Sequence, residues 1–177
     1  FRSAKGASYQ QQKKWFGNGF DDAKVQTCLD HLYQWTTDPA CSIYFKSSTE
    51  DDIASAPIKT SQTKQLGGQM PIDKGITIVL GKHWRSGGAV DGDRLLAVIH
   101  EVTHKVIHTL DVVDKQVVSK YPTTVRAQIP STLLSAGREY YGFKRVLELR
   151  DKSSHGAMLN ADNWAYFIAE RRSSDSN

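Results

Sequence analysis

DRLLAVIHEVTHKV, residues 93–106, decides how this chain reads. Leu95, Val98, Ile99, Val102 and Val106 recur at three- and four-residue spacing, the period of a helix with one buried face. Inside that run sits His100-Glu101-Val102-Thr103-His104, the pattern HExxH. Residues four apart on a helix share a face, so the two imidazoles can close on one metal ion. Glu101 lies one step round the helix, near enough to act on a water held there without being a ligand. Zn²⁺ suits the arrangement, because it takes imidazole nitrogen and keeps an open position in catalytic sites.

Two histidines do not complete such a site; a third protein ligand is required. His108 continues the same helical face, but it is displaced from His100 by about 12 Å at a rise of ~1.5 Å per residue. The chain must therefore turn before it supplies the third group. Asp111 is placed to do so, with Asp114 as a rival. If the third ligand is a glutamate from a later helix, as in a gluzincin-like hydrolase, Glu139 and Glu148 are the candidates.

The bulk properties fit one globular enzyme domain over residues 1–177. Hydrophobic residues make up 39% and charged residues 24%, close to ordinary soluble proteins. The net charge of +4 could favour acidic substrates or anionic surfaces, but no dense Lys/Arg stripe marks a nucleic-acid binder. No apolar stretch approaches the ~18–20 residues needed to span a bilayer. The chain begins at Phe1 and shows no signal peptide, so it reads as a processed or excised domain. Cys28 and Cys41 are expected to form a disulfide, in keeping with a secreted hydrolase.

Residues 10–16 read as a short helix closed by Gly17 and Gly19. Asp21 and Asp22 open a longer helix through Trp35, with Val25, Cys28, Leu29, Leu32 and Trp35 as its apolar face. Residues 42–45 and 76–80 read as strands, with another near Ile58 and a turn at Gly67-Gly68. The helix carrying HExxH begins near Asp91 or Asp93. Residues 112–130, with Pro122 and Pro130, read as an irregular functional loop or lid. Residues 131–149 return to helical spacing and Gly156 breaks it. Asn160 or Asp162 caps a last helix through Glu170, and residues 172–177 form a polar, disordered tail.

Beyond HExxH, the block His108-Thr109-Leu110-Asp111 resembles part of the GTxDxxYG motif of the aspzincin metallopeptidases, the deuterolysins and peptidyl-Lys metalloendopeptidases. Trp15-Phe16-Gly17 resembles that family's early WFG. ITIVLGKHW, residues 76–84, resembles the strand before its metal helix, and NADNWAYF, residues 160–167, resembles its NADNYEYF segment. The resemblance spans most of the chain, in the family's order. It implies an α+β, zincin-like fold, mainly helical with a small sheet above the HExxH helix. It also implies one Zn²⁺ held by His100, His104 and Asp111, with Glu101 as general base in peptide-bond hydrolysis.

The departures from the family pattern set further expectations. His108 stands where the family has glycine, so a different local backbone is expected at the turn. Asp114 stands where the motif has its tyrosine, and the next Tyr-Gly is Tyr141-Gly142, after an apparent insertion of about 27 residues. Tyr141, or its neighbour Tyr140, is the candidate to bind the developing oxyanion as the family tyrosine does. In Lys-specific members two acidic residues of NADNYE hold a lysine side chain. Here Asp162 is kept and Ala165 replaces the glutamate, so strict lysine selection is not expected. Asp162 then binds substrate, caps a helix or holds a zinc-binding histidine in its tautomer. The strand at 76–80 is expected to pair with extended substrate, with Ile78 and Trp84 on the substrate side. The expected partner is a polypeptide, acted on by a monomeric, secreted enzyme. A bacterial toxin or effector hydrolysing peptidoglycan peptides, matched by an inhibitor or immunity protein, is the alternative. Intact Glu101 argues against an inactive zinc module, which would need no base.

Overall fold

The computed structural model describes residues 7–51, 53–56, 66–67, 74–85, 91–112, 123–127, 129–134 and 140–174. Helices α1 (Tyr9–Phe16) and α2 (Asp22–Thr37) lead to strand β1 (Ser42–Ser47), the two-residue β2 (Ala54–Ser55) and β3 (Gly75–Leu80). The short α3 (Lys82–Arg85) precedes the long α4 (Asp91–Val106). Two single turns, α5 (Thr123–Arg126) and α6 (Ser131–Leu134), precede α7 (Phe143–Lys152), α8 (Ser154–Leu159) and α9 (Ala161–Ser174). The fold is α+β, mainly helical, with one three-stranded sheet among the described residues.

Both N-terminal helices start where their sequences provide a cap. Ser8 accepts from the Gln11 N–H while the Gln11 side chain accepts from the Ser8 N–H, a reciprocal capping box. Asp21 caps α2 by accepting from the Lys24 N–H. The expected apolar face of α2 is buried, Val25, Cys28, Leu29, Leu32 and Trp35 alike. Cys28 packs into that core and Cys41 lies at the start of β1, and both are free thiols. The expected disulfide is therefore absent, and with it that reason to place the chain in an oxidising compartment. Burial pushes the Cys28 thiol up to about 12, so it behaves as a small core hydrophobe.

β3 is the central strand. It pairs in parallel with β1, from Ser42 opposite Gly75 to Ser47 opposite Leu80, and antiparallel with β2, Ala54 opposite Leu80 and Ser55 opposite Val79. This corrects the expectation that residues 76–80 form the substrate edge: β3 lies between β1, paired along its whole length, and β2, paired at Val79 and Leu80, and Ile78 is completely buried. β2 is the edge beside α4. The strand expected near Ile58 lies outside the described residues.

α4 is buried on several sides over residues 99–104 and packs chiefly against α9. An aromatic nest of Phe16, Trp164 and Phe167 closes the core between α1 and α9, with ring centroids 4.7–6.2 Å apart. The helical spacing at 131–149 is not one helix. Backbone at Tyr140 to Gly142 is non-helical, and Gly142 takes φ 79, which starts α7 afresh. Gly156 does not break a helix either. It lies inside α8, where a Cβ would fall 2.6 Å from Leu133 Cδ1, so close packing requires the missing side chain. α9 continues to Ser174, past the expected end at Glu170 and into the expected tail.

Candidate metal centre

His100, Glu101 and His104 leave α4 in its last two turns. The helix ends at Val106, and His108 then takes φ 61, the left-handed conformation that glycine adopts most readily. For a residue with a Cβ this costs roughly 1–2 kcal/mol. Neighbouring bonds hold it: Gly67 N–H donates to Ile107 O at 3.0 Å and Thr109 N–H reaches back to Thr103 O at 3.4 Å. The turn is thus made without glycine. Beyond it, Leu110 pairs with the segment before α9, donating to Leu159 O at 2.7 Å and accepting from Ala161 N–H at 3.0 Å. Val112 N–H donates to Asn160 Oδ1 at 3.1 Å. Asp111 sits between these two anchored residues and returns toward the histidines.

His100 Nε2, His104 Nε2 and Asp111 Oδ1 converge, with separations of 2.9 Å between the imidazoles and 3.1 and 3.3 Å to the carboxylate. Ligand atoms of a tetrahedral zinc site with bonds of ~2.0–2.1 Å stand about 3.3–3.4 Å apart, so the spacing fits. The protons fit as well. The Thr109 carbonyl can only accept, so His104 Nδ1, 2.8 Å away, carries its proton. Asp162 Oδ1 lies 2.7 Å from His100 Nδ1 and accepts there. In the neutral rings both Nε2 lone pairs then face Asp111, an arrangement of acceptors that calls for a cation. Without a cation there, the neighbouring acids favour a proton on His100 instead. Burial opposes charge on His100, but Asp111 and Asp162 beside it raise its pKa to about 10. Burial would raise Asp111, but His104 and His100 hold it well below the usual carboxylate range.

Glu101 is buried beside this cluster without joining it. Ala56 N–H donates to its Oε2 at 2.7 Å, and Oε1 lies 4.0 Å from His100 Nε2. Burial raises its pKa, opposed by the two histidines. Tyr141 is 43% exposed with its ring 6.0 Å from that of His100, whereas Tyr140 is buried near Lys152. The structure thus places Tyr141, not Tyr140, beside the cluster. A cleft of ≈ 570 Å³ opens here, bordered by residues 53–55, His100, Glu101, Asp111, Tyr141, Asp162 and Tyr166.

Asp162 is engaged on both oxygens, Oδ1 with His100 and Oδ2 accepting from Gly142 N–H at 2.8 Å. That geometry matches the orienting role among those expected of it, and Asp162 also borders the cleft. Trp84 is not among the residues lining the cleft; its carbonyl accepts from Arg94 Nη2 at 3.0 Å. Glu148 is bound to Arg145 and Lys152, both at 2.7 Å, apart from the histidines. Asp114 and Glu139 lie outside the described residues.

The sequence reading offered Asn160 only as a helix cap and gave Asn163 no role. Asn160 Nδ2 donates to Tyr140 O and Asn163 Oδ1, and Asn163 Nδ2 donates to Trp15 O and Val146 O. Both are buried, and together they tie the segment bearing Asp111, the segment bearing Tyr141, and α1 to the start of α9. Their position inside NADNW was the available signal, but the pattern does not reveal the partners.

Fold and cluster together define a mainly helical α+β architecture with a His-His-Asp group that could hold a metal ion. The chain is similar to the solved structure of a zinc peptidase from Grifola frondosa, with a TM-score of 0.53 and 17% identity over 97% of this chain and 85% of that one. At that identity the likeness is one of fold. No protein-family model matches the sequence, and no curated protein does.

Proposed function

We propose that this chain is a zinc-dependent metalloendopeptidase of the aspzincin type, with His100, His104 and Asp111 as zinc ligands and Glu101 as general base. The observation that carries the reading is the convergence of His100 Nε2, His104 Nε2 and Asp111 Oδ1 while both Nδ1 atoms are committed elsewhere. Bound zinc would supply Lewis acidity at the scissile carbonyl and lower the pKa of a water there. Glu101 Oε1, on the cluster side of a carboxylate anchored through Oε2, takes the proton of the attacking water and returns it to the leaving nitrogen. Burial raises the proton affinity of that carboxylate, which suits the task. The Tyr141 hydroxyl donates to the developing oxyanion from the cleft wall. Asp162 keeps His100 Nδ1 protonated and so fixes which nitrogen binds.

The test is digestion of an unfolded protein by the zinc-loaded chain, with cleavage sites read by mass spectrometry. Glu101→Gln should keep its zinc and lose activity by roughly 10²–10⁴-fold. Cleavage undiminished in that variant rules out this mechanism.

A further inference from the structure

The strand that borders the cleft also holds the base. β2 makes only two ladder pairs, Ala54 with Leu80 and Ser55 with Val79. The next N–H, at Ala56, does not continue toward Ile78 along that ladder. It crosses to α4 and donates to Glu101 Oε2 at 2.7 Å, between residues 45 apart in sequence. Both partners are shielded from water, Ala56 at 5% and Glu101 at 7% exposure. A charge-assisted bond in so dry a place is strong and leaves the carboxylate little freedom to rotate. It also sorts the two oxygens: Oε2 is tied to the sheet, and Oε1 is left on the side of the histidines.

We infer that the Ala56 backbone N–H is the positioning group for Glu101, coupling the cleft-edge strand β2 to the orientation of the general base. The inference rests on the peptidase reading above. Residues 53–55 border the cleft, so a substrate main chain lying against them meets the element whose next peptide group sets the base. A shift of β2 then moves the proton acceptor and the substrate track together. Ala56 N–H touches neither substrate nor metal; it acts through Glu101 alone.

Ala56→Pro deletes the donor, and Ala56→Gly retains it. In the zinc-loaded chain, Ala56→Pro is expected to lower kcat by about ten- to a hundredfold, the worth of one hydrogen bond to a charged group. KM and zinc affinity should stay within about threefold, and Ala56→Gly should keep kcat within about threefold. A folded Ala56→Pro chain with unchanged kcat overturns the inference, as does a loss confined to KM. Amide hydrogen exchange at Ala56 provides a second arm that needs neither activity nor a folded proline variant. Protection in the native chain that falls at least about tenfold in Glu101→Ala supports the bond. Protection unchanged by Glu101→Ala overturns it. A native chain inactive on every peptide substrate, with Ala56 protection still dependent on Glu101, would sink the peptidase reading and leave the bond standing.

Discussion

The two imidazoles of the cluster are fixed in different ways. His104 is held from five residues away, by the carbonyl of Thr109 in the turn that ends its own helix. His100 is held from 62 residues away, by the carboxylate of Asp162 at the start of α9. One half of the site, residues 100–112, is built by a helix and the turn after it. The other half, residues 140–163, arrives from distant chain and supplies Asp162, the Tyr141 segment and the asparagine brace. The near half provides the atoms that would meet a metal. The far half governs how those atoms, and the tyrosine beside them, are presented.

That division can be tested from its strongest consequence to its weakest. Asp111→Ala removes a ligand from the near half and should abolish zinc binding and activity together, read by zinc titration and peptide cleavage. Stoichiometric zinc in that variant would show that the near half does not complete the site. Asp162→Asn keeps the shape of the far half but cannot accept from both His100 and Gly142. Zinc affinity should fall about 10- to 100-fold, the usual effect of losing such an orienting partner. A loss as complete as that of Asp111→Ala would erase the distinction between the halves. Asn160→Ala cuts the tie between them, leaving Val112 N–H without its acceptor and removing the donor to Tyr140 O. It should cost about 1–3 kcal/mol of stability, read as a drop in Tm, with zinc affinity changed less than in Asp162→Asn.

The near half was readable because its geometry is periodic. Helical spacing places His100 and His104 on one face, and the rise per residue excludes His108 and demands a turn before Asp111. The apolar face of α2 was readable for the same reason, and the strand at 76–80 because its β-branched run is bounded by Gly75 and Gly81. Contacts between distant segments carry no such period. Nothing in the order of residues shows that Ala56 meets Glu101, or that Gly142 meets Asp162. The helical spacing of 131–149 misled because periodicity does not register a break such as the non-helical backbone at Tyr140 to Gly142. The strand at 76–80 was found, but its apolar run could not say which neighbours flank it, and it proved central rather than an edge. The cysteines misled because Cys28 fits the core as an apolar residue.

The two outer strands of the sheet also bear on how copies of the molecule behave toward each other. An outer strand exposes unpaired peptide groups that can recruit a strand from a neighbouring copy and so seed aggregation. β2 offers only two residues, too short a template for stable intermolecular pairing, although it borders the cleft. β1 is six residues long and exposes Tyr44 and Phe45, but Lys46 follows them on the exposed stretch. Stacking copies there would force like charges together. Among the described residues the edge beside the cleft is thus short and the longer edge carries a charge, and each feature disfavours strand pairing between copies.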